Sequence, residues 1–152
     1  MPFSVVRTTP PSFHEVGAWP LESIDDVATV RAGLRTLLAA DPDFTDGDSV
    51  VLVASELATN AVRHGSPPAG LRLLRGPEGY VVDAVDAATD VVPHISRGRA
   101  PGLGGFGIAL AVKIATDVGS YADDAVKHVW ARFGGVPALD APGAGAAARL
   151  DA

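Results

Sequence analysis

The stretch "VLVASELATNAVRHG", residues 51–65, decides how this chain is read. At about 100° per residue, Val50, Val51, Val53, Ala54, Leu57, Ala58, Ala61 and Val62 fill one side of a helix, and Ser55, Glu56, Thr59, Asn60 and Arg63 fill the other. Thr45 or Asp46 can cap its start and Gly65 is a natural stop, so the spacing predicts a helix over 47–64. Leu52 lies among the polar residues, which implies that this side is not open to water along its whole length. A polar stripe is what any amphipathic surface helix shows. Glu56 and Asn60, however, stand one turn apart, so a carboxylate able to accept a proton and an amide oxygen able to ligate Mg²⁺ point the same way.

Outward from this helix the elements follow in turn. Upstream, Ile24, Val27, Val30, Leu34, Leu37 and Leu38 recur at helical spacing, and Ser23 with Asp26 resembles a capping pair, so a first helix is expected over 23–39. Before it, "FSVVRT" and "HEVGAW" are each extended enough for an edge strand. Downstream, "AGLRLLR" and "GYVVDAVDA" flank Gly76-Pro77-Glu78-Gly79 and read as a hairpin. Residues 87–104 have no period and carry Gly, Pro and Arg, as functional loops do. "GFGIALAVKIA" resumes helical spacing. "TDVGSYAD" and "AVKHVWARF" read as a closing pair of strands around Asp123-Asp124. From Gly134 the chain is Ala-, Gly- and Pro-rich, and a folded unit over 1–133 with a disordered tail over 134–152 is expected.

Composition narrows the chemistry. The 152 residues, 47% of them apolar, suffice for one core. Cysteine is absent, which excludes disulfides, zinc-thiolate sites and thiol nucleophiles. A formal charge of −6 with no Lys/Arg cluster argues against a nucleic-acid partner. No apolar run is long enough for a membrane span and the first residues lack a signal-peptide pattern, so a cytoplasmic protein is expected. The four histidines show no metal-ligand spacing. Asp41, Asp43, Asp46 and Asp48 lack the calcium-loop frame and are read as a cap-rich loop.

"GLGGFGIAL", residues 102–110, has two readings. Gly102, Gly104 and Gly107 satisfy a dinucleotide fingerprint, with Asp123 or Asp124 about twenty residues on, but no strand directly precedes them. Alternatively, the glycines close a lid and lead into a helix N-terminus whose free amides bind phosphate.

A helix bearing E-x-x-x-N, then a strand ending in Asp, then a Gly-rich segment opening a helix resembles the GHKL ATPase superfamily. That superfamily includes gyrase-type topoisomerases and sensor histidine kinases. Within it "VLVASELATNAVRHG" looks most like the small anti-sigma factor serine kinases and their stand-alone regulatory relatives. The likeness spans roughly residues 22–133. The resemblance implies an α/β two-layer sandwich, the Bergerat fold: a mixed, mostly antiparallel sheet with three helices on one face. It implies ATP and Mg²⁺ as cofactors, Glu56 as proton acceptor, Asn60 as metal ligand and Asp86 as acceptor for the adenine amino group. Gly105, Phe106, Gly107 and Ile108 would bind phosphate, with Gly102 and Gly104 as hinges. Arg97 and Arg99 fall in the same lid.

The expected function is a Mg-ATP-dependent serine/threonine kinase that acts as an anti-sigma factor or similar switch. Its partners would be a small Ser-bearing anti-sigma factor antagonist, a sigma factor, or both, and the resemblance also implies a homodimer. Three residues depart from the family pattern. Ala88 and Asp90 stand where glycines usually follow the adenine-binding Asp, and His128 falls near the Thr or Ser that supports it. They motivate an alternative, a non-catalytic, nucleotide-gated or nucleotide-free protein-binding module of the same fold.

Overall fold

The structure, a computed structural model, describes residues 13–90, 111 and 113–134. Along these the elements run β1 (His14–Pro20), α1 (Asp26–Ala39), α2 (Gly47–His64), β2 (Gly70–Arg75), β3 (Gly79–Asp86), β4 (Asp117–Ala122) and β5 (Lys127–Gly134). The bounds of α2 are those its pattern predicts, because its apolar and polar positions sort cleanly at helical period. Val50, Val53, Ala54, Leu57, Ala58 and Ala61 are buried, while Leu52 is 48% exposed, so the polar side is open to water at the position where cover was expected.

Helix α1 starts three residues later than its spacing suggests. The Asp26 carboxylate accepts from the backbone N–H of Glu22 at 2.7 Å and of Ser23 at 3.0 Å. That acidic half of the expected capping pair folds residues 22–25 into a turn ahead of the helix. Val27, Val30, Leu34 and Leu38 then face inward.

The five strands lie in the order β1-β2-β3-β5-β4, and every pair among the described residues is antiparallel, where a mixed sheet was expected. "HEVGAW" supplies the edge strand β1, whereas "FSVVRT" lies outside the described residues. The hairpin of β2 and β3 closes through Gly76 N–H to Gly79 O at 2.9 Å. Two helices are described rather than three. The third expected helix falls mostly outside the described residues; Ala111, Lys113 and Ile114 are helical, and Ala115 N–H donates to Ala111 O at 2.8 Å. Of the residues expected to form the tail, Gly134 ends β5 and 135–152 lie outside the described residues.

Strand alternation sorts the sheet into two faces. Leu71, Leu73, Tyr80, Val82, Ala84, Val129, Ala131 and Phe133 meet Val30, Leu34, Val50, Val53 and Leu57 of the helices in one core. Gly33 lets α1 approach β1, since a Cβ there would lie 2.6 Å from Trp19 Cζ2. The opposite face carries charge. There Asp83, 1% exposed, accepts from Arg72 Nε at 3.1 Å and from Arg72 Nη2, and His128 Nδ1 lies 2.8 Å from the same oxygen, Oδ2. An ionised carboxylate only accepts, so the His128 proton sits on Nδ1. The His128 ring stacks on Tyr121 with centroids 4.2 Å apart.

The β4–β5 turn is held by Asp123, whose Oδ1 accepts from Ala125 and Val126 N–H, each at 2.8 Å. These bonds hold the Asp123 carboxyl below its ordinary value of 3.8, Val126 contributing most and then Ala125. The Ser23 and then the Glu22 amide do the same for Asp26. Depressed carboxyl pKa values mean stability that is present above about pH 4 and lost as pH falls through the lower, folded-state values. The double variant Asp26→Asn, Asp123→Asn is therefore expected to show a flatter fall in stability below about pH 4 than the wild type, measured by urea denaturation at stepped pH. An unchanged acid limb would show that these turns carry none of it.

Candidate nucleotide site

On β3 the residues facing the helices are Tyr80, Val82, Ala84 and then Asp86, so an apolar row ends in a carboxylate. Asp86 is 3% exposed. Its Oδ1 accepts from Ala88 N–H at 2.7 Å and Ser66 N–H at 3.4 Å, and its Oδ2 lies 3.4 Å from Lys127 Nζ. Gly65, which ends α2, presses on the same carboxyl: a Cβ at residue 65 would lie 2.5 Å from Asp86 Cγ. The backbone of Gly65 is extended, with φ −84° and ψ −176°, so this glycine is required by the close approach and not by a left-handed turn. The end of α2 and the end of β3 are thus locked together at Asp86.

Glu56 and Asn60 lie further up α2, half-buried on its polar side. The two hydroxyls of that stripe bond back to their own helix, Ser55 Oγ to Val51 O at 2.6 Å and Thr59 Oγ1 to Ser55 O at 2.7 Å. Glu56 and Asn60 therefore present the carboxylate and amide of this wall. Arg63 and His64 are exposed in the last turn, where a cation suits the helix C-terminus.

The structure brings Asp86 to the end of the helix that bears Glu56 and Asn60. Gly102, Gly104, Gly105, Phe106, Gly107 and Ile108, like Arg97 and Arg99, lie outside the described residues. His128 is a correction. It does not support Asp86, because Val85 is its register partner and its side chain turns to the opposite face, to Asp83. The residue registered with Asp86 is Lys127, 8% exposed, which sequence reasoning passed over. The available signal was alternation itself, since of two adjacent residues in a strand only one can share a face with Asp86. Ala88, which stands where the family pattern has a glycine, supplies an amide that holds Asp86, and Asp90 is exposed.

Other polar features find plain roles. Asp41 accepts from Tyr80 Oη at 2.8 Å and pairs with Arg75 at 3.3 Å. Among the described residues no group of three or more His, Asp or Glu is placed to hold a metal. A cleft of about 460 Å³, lined by Trp19, Pro68, Arg72, Val85, Val126 and His128 among others, opens at one end of the sheet without Asp86 in its wall. No helix of the described residues is long and apolar enough to cross a membrane.

The wall fits a nucleotide. Asp86 keeps an acceptor direction on Oδ2, and Asn60 offers the hard oxygen that Mg²⁺ prefers. A search of curated proteins finds no match to the chain. A family model for the histidine kinase-like ATPase domain matches residues 22–133, which takes in α1, α2 and strands β2 to β5, with Glu56, Asn60 and Asp86 inside the match. An amphipathic helix whose C-terminal end is locked to a buried strand-end carboxylate therefore sits within a domain of known kind: the chain belongs to the histidine kinase-like ATPase domain family and is an ATP-binding protein of that type.

Proposed function

We propose that this protein is a Mg-ATP-dependent serine/threonine kinase that acts as an anti-sigma factor or a similar partner switch. The observation that carries the reading is that Glu56 and Asn60, one turn apart and half-buried, share the helix that ends on buried Asp86. Asp86 accepts from the exocyclic amine of adenine and so orients the nucleotide. Asn60 holds Mg²⁺, which when bound neutralises phosphate charge. Glu56 takes the proton of a serine hydroxyl on a small antagonist protein. Gly105, Phe106, Gly107 and Ile108 are assigned to the phosphates, with Gly102 and Gly104 as hinges. Most of the rate enhancement in such a site comes from positioning and charge neutralisation. Sigma factor binding is a separate activity of the surface, and pairing of two copies belongs to the same proposal.

Incubating the protein with labelled ATP and candidate Ser-bearing antagonists tests this. Transfer is expected from the wild type, and Glu56→Ala is expected to lower its rate by about 10²- to 10⁴-fold while leaving ATP binding largely intact. Full transfer by Glu56→Ala would mean that Glu56 is not the base.

One observation favours a second reading, a nucleotide-gated or nucleotide-free binding module without phosphotransfer. Asp86 is already engaged by Lys127 and by the amides of Ser66 and Ala88. Partner capture that is unaffected by Glu56→Ala, with no phosphate transferred by the wild type, would decide for the module.

A further inference from the structure

Lys127 is the one charged side chain registered beside Asp86 on the core face of the sheet among the described residues, and the motif pattern assigns it no role. Its place follows from the fold: β5 pairs antiparallel with β3, and Asp86↔Lys127 is the last rung of that ladder. Both side chains are more than nine-tenths buried. A solvated pair here would be a surface ornament; a buried one fixes what else the carboxylate can accept.

Each carboxylate oxygen accepts about two hydrogen bonds, and Oδ1 of Asp86 already takes two, from Ala88 and Ser66 N–H. Oδ2 faces Lys127 Nζ at 3.4 Å and keeps one direction for a further donor. The ammonium has three N–H donors in all. The pair therefore offers a ligand one acceptor and, beside it, one charged donor.

We infer that Lys127 is a specificity-determining residue of the nucleotide site, donating to N1 of adenine while Asp86 accepts from the 6-amino group. This rests on the ATP-site reading above and deepens it. The adenine edge has one donor next to one acceptor, which matches the pair. The guanine edge turns two adjacent donors, N1–H and the 2-amino group, toward a carboxylate, and with Oδ1 filled one of them is left without an acceptor. Lys127 thus makes the site read two atoms of the base edge where Asp86 alone reads one.

The test is calorimetric titration of ATP, 1-deaza-ATP, in which N1 is replaced by C–H, and GTP into the full chain and into Lys127→Met and Lys127→Arg. The wild type is expected to bind 1-deaza-ATP roughly 10-fold more weakly than ATP, and GTP more weakly still. In Lys127→Met the ATP preference over 1-deaza-ATP is expected to shrink to within about 2-fold, and in Lys127→Arg to persist in part. Equal binding of ATP and 1-deaza-ATP by the wild type would overturn the role of Lys127 while leaving the ATP site standing, and it needs no variant to fold. An undiminished preference in Lys127→Met would do the same. Absence of ATP binding by the wild type would instead remove the parent reading, and this one with it.

Discussion

Replacing Asp83 with alanine is expected to lower the free energy of unfolding by about 3 kcal/mol. Asp83 is the shared acceptor of a buried network, and one oxygen, Oδ2, receives both Arg72 and His128. Burial alone would lower the Arg72 pKa, but the hydrogen bond and charge of Asp83, with the charges of Tyr121 and Glu15, outweigh it and raise it above its ordinary value. Without Asp83 the guanidinium keeps Glu15, at 3.8 Å and half-exposed, as a carboxylate partner. Breaking a fully buried pair by removing one member costs about 3–5 kcal/mol. The Arg72 side chain is 29% exposed and can recover some hydration, which places the expectation at the low end. The other oxygen, Oδ1, is buried with no hydrogen-bond partner, which further limits what the network contributes. Asp83→Asn, with its amide oxygen in the place of Oδ2, keeps an acceptor for Arg72 and His128 but loses the charge, and is expected to cost about half as much. Urea denaturation measures both; a loss below about 1 kcal/mol for the alanine variant would show that the network specifies the sheet face without stabilising it.

The second large effect is on binding. Asp86→Asn is expected to weaken ATP by about 30- to 100-fold, the equivalent of roughly 2–3 kcal/mol for a charge-assisted hydrogen bond lost in a buried site. The amide can turn its oxygen to only some of the donors now served, which are Ala88 N–H, Ser66 N–H and Lys127 Nζ. Whichever way it turns, an NH₂ group faces another donor. Because Lys127 also loses its ionic partner, some loss of stability accompanies the change, and a thermal melt of the variant separates the two effects. Binding within about 3-fold of wild type would show that the base is read elsewhere.

Local chemistry carried far in the sequence, and distant pairing did not. The bounds of helix α2 were legible from eighteen residues of amphipathic period ending at Gly65, although Asp46, at the N-cap position, makes no side-chain cap hydrogen bond. The β2–β3 hairpin was legible from its glycines, and the β4–β5 turn from Asp123. The start of α1 was misplaced because Asp26 turns its carboxylate back on Glu22 and Ser23, a bond that spacing alone does not display. Sheet order was not legible, since β5 inserts between β3 and β4 and no local signal encodes that. The same long-range register separates Lys127 from His128. With Asp86 and the β5 residues more than forty positions apart, a one-residue uncertainty in pairing exchanges the face of Asp86 for the face of Asp83. The Arg72–Asp83–His128 network spans three strands and was invisible for that reason.

Asp86, at the end of the helix bearing Glu56 and Asn60, is expected to read the base of ATP. Isothermal titration of Mg-ATP into the wild-type chain and into Asp86→Asn tests it most directly. A saturable one-site isotherm is expected for the wild type, displaced about 30- to 100-fold to weaker binding in the variant. A wild-type chain that folds and gives no saturable heat, or one whose isotherm Asp86→Asn leaves in place, would contradict it.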